Sequence, residues 1–204
     1  MHGVEHDEIV RLYGPWRHLR PGDAAGLLRE YRHRWWIAGG WAIEAFTGVE
    51  RAHGDLDLGI FRSDVPLFRE FMVGRLDVWA ADGGTLTPLA EDDAVIPATC
   101  GNLWLRPSGA EPWEYDVILE TAVGGQWRFK RDPRIALPVA EIVWRVDGIT
   151  YLRPEIELLY KASSLRARDQ HDFQACRPLL SERATAWLRS ALQTAHPGHE
   201  WIAH

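Results

Sequence analysis

Apolar side chains recur along the chain at two spacings, and together they predict short helices alternating with short strands. After Pro21-Gly22-Asp23, residues Ala24, Leu27, Leu28 and Tyr31 recur at helical spacing with Asp23 placed to cap, so a first helix is expected here. Trp35 to Ala38 is a short apolar run stopped by Gly39-Gly40, and Trp41 to Phe46 resumes a helical composition; strand, glycine turn and helix follow in order. Asp55-Leu56-Asp57-Leu58-Gly59-Ile60 alternates polar and apolar side chains, the signature of a strand whose two carboxylates share one face. Leu67, Phe71 and Leu76, with Ser63 and Asp64 as caps, predict a second helix, and Val78 to Ala81 a strand after it.

Between Asp82 and Thr150, glycines and prolines separate the short apolar pieces Leu103 to Leu105, Glu114 to Leu119, Trp127 to Phe129 and Ile149 to Leu152, which read as a meander with long loops. The pattern turns helical from Pro154. Ile156, Leu159, Ala162 and Leu165 mark one helix, and Asp169 to Arg177 a second cut off by Pro178. Ala184, Leu188, Ala191, Leu192 and Ala195 line a third that Ser181 caps and Pro197-Gly198 ends. The sequence shows neither internal repeats nor low-complexity stretches.

Composition narrows the classes. With 204 residues, 46% hydrophobic and 25% charged, the chain can bury a core of one domain or two small ones. No apolar run reaches the roughly 20 residues of a membrane helix, and Met1 to His18 is too charged for a signal peptide, so a cytoplasmic protein is expected. Cys100 and Cys176 stand far apart without CxxC spacing, which removes disulfide-framework and zinc-ribbon readings. Twenty-three basic against 29 acidic side chains give a net charge of −6, which argues against a broad nucleic-acid footprint and favours a cationic small substrate. Glu91-Asp92-Asp93 and the eleven tryptophans suit such a substrate, although core is the default for Trp79, Trp104, Trp113 or Trp127 taken singly.

The chemistry-bearing segment runs from Trp36 to Glu44 and on through Arg51-Ala52-His53-Gly54-Asp55-Leu56-Asp57-Leu58. Gly39-Gly40 lacks Cβ atoms, so its backbone N–H groups and the following helix N-terminus can approach a phosphate. Asp55 and Asp57 would repel each other unless a cation such as Mg²⁺ bridges them to substrate phosphates. Arg51 and His53 lie just upstream, where they can neutralise phosphate charge. Asp116, on the alternating piece Tyr115 to Leu119, supplies a third carboxylate that would serve as general base with one metal or as a ligand with two. No GxxxxGK[ST] motif and no HRD with DFG occurs, so P-loop and protein-kinase readings lack their essential parts.

The Gly-Gly turn, the Asp-x-Asp strand and the later lone Asp resemble the DNA polymerase beta-like nucleotidyltransferase superfamily. More narrowly, Gly39-Gly40-Trp41-Ala42-Ile43 with His53-Gly54-Asp55-Leu56-Asp57-Leu58 is similar to the aminoglycoside 2''-adenylyltransferase and lincosamide nucleotidyltransferase group. The resemblance spans roughly Trp35 to Glu120, and Tyr151 to Phe173 is similar to a continuation found in that group. It implies an α+β nucleotidyltransferase fold, a small mixed sheet flanked by helices over residues 1–150, with a helical C-terminal region over 151–204. It also implies transfer of a nucleoside monophosphate, AMP above all, from a Mg²⁺-bound NTP to a hydroxyl with release of pyrophosphate. On that resemblance Asp55 and Asp57 hold Mg²⁺, Asp116 is base or third ligand, and Gly39 and Gly40 cradle the phosphates. Trp41 departs from the wider superfamily, where a serine often follows the glycine, but the antibiotic-modifying group is similar in carrying Trp.

Structural readings stand beside these. Arg51 can instead pair with Glu44 or Glu50, His53 can bond backbone, and Lys161 can form an i, i+4 surface pair with Glu157 where the functional reading sends it to the triphosphate. Asp169 and Asp172 read as helix-start residues, His171-Asp172 lacks the further ligands of an HD phosphohydrolase, and His2, His6, His196, His199 and His204 read as flexible-end residues. The favoured acceptor is a hydroxylated, amine-bearing small molecule of aminoglycoside type. The alternatives are a toxin-like nucleotidyltransferase acting on RNA or protein, and a nucleotide-binding module without catalysis. The oligomeric state is left open.

Overall fold

The computed structural model describes residues 6–90 and 95–203. In chain order these form α1 (His6–Tyr13), α2 (Pro21–Leu27), β1 (Trp36–Ile37), α3 (Gly39–Thr47), β2 (Asp57–Phe61), α4 (Val65–Met72), β3 (Asp77–Asp82), β4 (Thr85–Pro88) and β5 (Asn102–Arg106). There follow β6 (Tyr115–Val123), β7 (Gln126–Arg128), β8 (Ala136–Pro138), β9 (Val143–Val146), β10 (Ile149–Leu152), α5 (Pro154–Lys161), α6 (Ala167–Cys176) and α7 (Glu182–Ala195). Backbone contacts divide the described chain into two compact units, a sheet unit (residues 6–37 and 53–120) and a helix-rich unit (38–52 and 121–203).

In the sheet unit the strands run in the order β4-β3-β5-β6-β2-β1. β2 and β6 are parallel, and the other neighbours are antiparallel. Residues of even spacing along a strand share a face, and one face is sealed: Leu58 and Ile60 of β2, Val117 of β6, and Leu103 and Leu105 of β5 are fully buried. The opposite face therefore receives Asp57, Asp116, Ile118, Asn102 and Trp104. Burying each large apolar side chain contributes roughly 1.5–3 kcal/mol, so a slip of one residue, which would invert the two sets, is strongly disfavoured. Gly59 lies opposite Trp36, whose indole crosses the bare strand where a Cβ would collide with it. Trp16, Trp104 and Trp113 form a buried aromatic cluster beneath α1, with Ile9, Val10, Tyr13 and Trp79 packed on it.

α4 presents a different stripe from the one its sequence suggested. Val65, Phe68 and Met72 are buried, whereas Leu67 is 42% exposed and Leu76 lies beyond the helix. A 3₁₀ turn at Arg62–Asp64 and Pro66 in the first helical turn set the start at Val65, so positions i, i+3 and i+7 from there face inward. Asp23 likewise caps α2 from inside, its carboxylate accepting from the Arg20 N–H at 2.7 Å.

In the helix-rich unit, α3 opens at Gly39, whose φ of 61° is the left-handed region that glycine adopts freely, and closes at Gly48 in the same region. Gly39-Gly40 is thus the first turn of a helix and not a turn preceding one. α5 packs against α3, α6 and α7, and accordingly Ile156, Leu158 and Leu159 are all fully buried around it. β9 and β10 form a hairpin, and the end of β6 pairs with β7 and β7 with β8. Ser181 caps α7 by accepting from the Ala184 N–H at 3.2 Å. The expected division at 150/151 falls inside β10, because the helical tail shares its unit with α3 and with everything from Thr121 onward. No helix among the described residues is long and apolar enough to cross a membrane.

Candidate active site

The carboxylates of the sheet unit are arranged by strand register. Asp57 opens β2, and its partner across the parallel pair is Asp116 of β6. Paired residues on adjacent strands lie about 4.8 Å apart with side chains on the same face, so the two carboxylates are neighbours by construction. Both are half-buried, and the Asp116 N–H donates to the Leu56 carbonyl at 3.1 Å, carrying the pairing one residue past the end of the strand. Asp55 differs from the sequence expectation in lying in the bend before β2, since the ladder begins only at Leu56 and Asp57; it is half-buried there. His53, also half-buried, stands two residues further upstream.

Asp116 accepts a hydrogen bond from the Asn102 side-chain amide, Nδ2 to Oδ1, at 2.6 Å. Asn102 belongs to β5, two residues before Trp104, and Trp104 is the direct partner of Asp116. Sequence reading missed Asn102. Its signal was present, because Asn102, Trp104 and Arg106 are the even positions of a strand whose odd positions are leucines.

Mg²⁺ takes oxygen ligands and usually relies on one or two carboxylates completed by substrate phosphates and water. Asp57 and Asp116 fit that donor set, with Asp55 close in sequence. No group of three or more His, Cys, Asp or Glu side chains that could hold a metal ion is found among the described residues.

In the helix-rich unit the expected phosphate-binding residues sit in a buried ionic network. The Gly39 N–H donates to Glu157 Oε1 at 2.7 Å, so one amide of the glycine turn is already engaged by a carboxylate that is itself buried. Arg51 packs its guanidinium against Gly40, at a place where a Cβ on that residue would collide with it. Its Nε lies 3.6 Å from Asp172 Oδ1, and its backbone N–H donates to Glu44 Oε2 at 3.1 Å. Lys161 is 9% exposed, with Nζ 2.8 Å from Asp172 Oδ2 and 3.6 Å from Asp169 Oδ1. Lys161 is thus buried in pairs with α6 and not placed on the surface as its structural reading had it, because α5 is enclosed by its neighbouring helices.

Asp169 does cap α6, accepting from the Arg166 N–H at 3.1 Å, but it is fully buried and takes the Arg166 guanidinium at 2.8 Å as well. Burial pushes its carboxyl upward, yet Arg166, Lys161 and Ser164 together outweigh that and hold it below the usual carboxylate value. His171 is exposed while Asp172 beside it is buried. Burial raises the Cys176 thiol to about 12, which leaves it an inert core thiol.

Other expected residues take structural places. Trp104, Trp113 and Trp127 are buried, and Trp79 is half-buried with the Arg106 guanidinium between its ring and that of Trp113. His199 is held in place, Nε2 3.1 Å from the Ala162 carbonyl and Nδ1 accepting from the Trp201 N–H, while burial lowers the His196 value. Glu91, Asp92, Asp93, His2 and His204, and the side chain of His6, lie outside the described residues.

A family model described as aminoglycoside-2''-adenylyltransferase matches residues 23–72. Among curated proteins none matches the chain by sequence at a significant level. Among solved structures, the solution structure of the antibiotic-resistance factor ANT(2'')-Ia is similar with a TM-score of 0.54 and 16% identity, over 85% of this chain and 89% of that one. The lincosamide antibiotic adenylyltransferase LnuA, lincomycin-bound, gives 0.53 and 13% identity, over 78% of this chain and 95% of that one. ANT(2'')-Ia in complex with adenylyl-2''-tobramycin gives 0.53 and 14% identity, over 83% and 92%. The chain has the nucleotidyltransferase fold, and the resemblance to this antibiotic-modifying group extends from its motifs to its architecture.

Proposed function

We propose that the protein transfers AMP from Mg²⁺-ATP to a hydroxyl of a small, amine-bearing acceptor of aminoglycoside type and releases pyrophosphate. The observation that carries this reading is the direct parallel pairing of Asp57 with Asp116 on the half-exposed face of the sheet. Two like charges placed side by side in a fold are costly, and a site for a cation and a phosphate chain is what rewards the arrangement.

In this reading Asp55 and Asp57 hold Mg²⁺, with Asp116 as general base or third ligand. When bound, the metal supplies positive charge against the negative charge that builds on phosphate oxygens. The acceptor oxygen forms its bond to the α-phosphorus as the bond to the pyrophosphate oxygen breaks, in line. The hydroxyl proton passes to Asp116 Oδ when that residue acts as base. The triphosphate contacts are assigned to Gly39, Gly40, Arg51, His53 and Lys161. For Arg51 the support is its guanidinium packed against Gly40, and for Lys161 its tether to Asp172, which orders an otherwise flexible stem. The net negative charge favours a cationic acceptor.

Mass spectrometry after incubation with Mg²⁺, each NTP and a panel of aminoglycosides, lincosamides and RNA tests the reading. An aminoglycoside carrying one AMP, formed with ATP and absent with Asp57→Asn, is the expected result. Nucleotide appearing on RNA instead would move the assignment to the toxin-like class, and pyrophosphate released with no acceptor in the panel would overturn it.

A further inference from the structure

We propose that Asn102 is a positioning residue of the reaction: its side-chain amide fixes the plane of the Asp116 carboxylate. The proposal rests on the adenylyl-transfer reading above and adds to it a residue outside the motifs that suggested it.

The geometry is local to the sheet. β5 is a central strand, paired with β3 through Asn102 and Ala81 and with β6 through Asn102 and Ile118. Asn102 therefore sits diagonally across from Asp116, two residues along β6 from its direct partner and on the same face. The Asn102 Nδ2 donates to Asp116 Oδ1 at 2.6 Å. The base of the side chain is equally restrained: the Asn102 carbonyl accepts from the Cys100 thiol at 3.1 Å, and Leu103 beside it is fully buried.

Chemistry explains why a neutral donor suits this place. An arginine or lysine bound to Asp116 would offset the negative charge that draws a metal or a proton. An amide restrains rotation of the carboxylate with less electrostatic cost, so its lone pairs are presented in one orientation for each catalytic cycle. In the helix-rich unit the carboxylates of Asp169 and Asp172 are met by cations, whereas Asp116 accepts from the Asn102 amide.

The test uses the full chain with ATP and an acceptor that the wild type adenylylates. Asn102→Leu keeps the shape of the side chain and removes the donor without adding charge, and Asn102→Ala truncates it. We expect kcat to fall about 10- to 100-fold in both while KM for ATP changes less than twofold and the melting temperature of Asn102→Leu stays within a few degrees. A wild-type kcat in either variant overturns the proposal, as does a loss confined to KM. If Asn102→Ala fails to fold, Asn102→Leu decides by the same criteria, and if both melt below the assay temperature, Asn102 is a structural residue and the proposal fails. A wild-type protein inert toward every nucleotide and acceptor would instead defeat the adenylyl-transfer reading, and this inference with it.

Discussion

Two groups of acidic residues in this protein are treated in opposite ways. In the helix-rich unit, Asp169 and Asp172 are almost completely buried and are bound by Arg51, Lys161 and Arg166. In the sheet unit, Asp57 and Asp116 stand beside each other at half-exposed positions, and Asp116 takes its donor from an amide. The first group has the form of an electrostatic solution to folding. The second places two carboxylates side by side on a half-exposed strand face, and like-charge pairs of that kind cluster where ligands bind.

The contrast can be broken most sharply by exchanging the readouts. Asp116→Asn should lower turnover by about 10²–10⁴-fold if it acts as base, with the melting temperature held or raised, because removing one of two adjacent charges relieves repulsion. Steady-state kinetics alongside a thermal melt measures both. Asp172→Ala should do the reverse in stability: it leaves the buried Lys161 and the half-buried Arg51 without their shared partner, a loss of about 3–5 kcal/mol that denaturant unfolding would register. Equal destabilisation by the two substitutions would erase the distinction.

A smaller effect sharpens the description of the sheet. Gly59→Ala forces a methyl into the Trp36 indole, and moving that buried ring should cost about 1–3 kcal/mol, read by a thermal melt. The smallest effect is in acid. Asp169 has its folded-state value depressed, so its contribution to stability is complete above the ordinary carboxylate value of 3.8 and is lost as pH falls through the depressed one. Stability of the wild type should therefore drop more steeply below about pH 4 than that of Asp169→Asn, as followed by urea midpoints at a series of pH values.

Much of this was legible because alternation and spacing act locally. The strand carrying Asp57, the strand carrying Asp116, the Pro154 helix and the Ser181-capped helix follow from residues within a few positions of one another. What the sequence did not reveal depends on pairs distant along the chain. That Asp57 lies opposite Asp116 and not one residue aside is set by a parallel pairing across 59 positions, and Asn102 reaches Asp116 only through the antiparallel register of β5. The surface alternative for Lys161 rested on Glu157 four positions before it; the apolar residues all round α5 were the sign that this helix is enclosed. Likewise Gly39 read as a phosphate cradle by composition, while the carboxylate that takes its N–H comes from a helix 118 residues later.

The central claim is that Asp57, beside Asp116, helps hold a metal-bound nucleotide. Melting of the wild type and of Asp57→Asn with a non-hydrolysable ATP analogue, with and without Mg²⁺, tests it directly. A ligand present at 100 times its Kd adds about 2.7 kcal/mol to the stability of the folded state. The account predicts a clear Mg²⁺-dependent rise in the wild type and little or none in Asp57→Asn; an equal rise in both would contradict it.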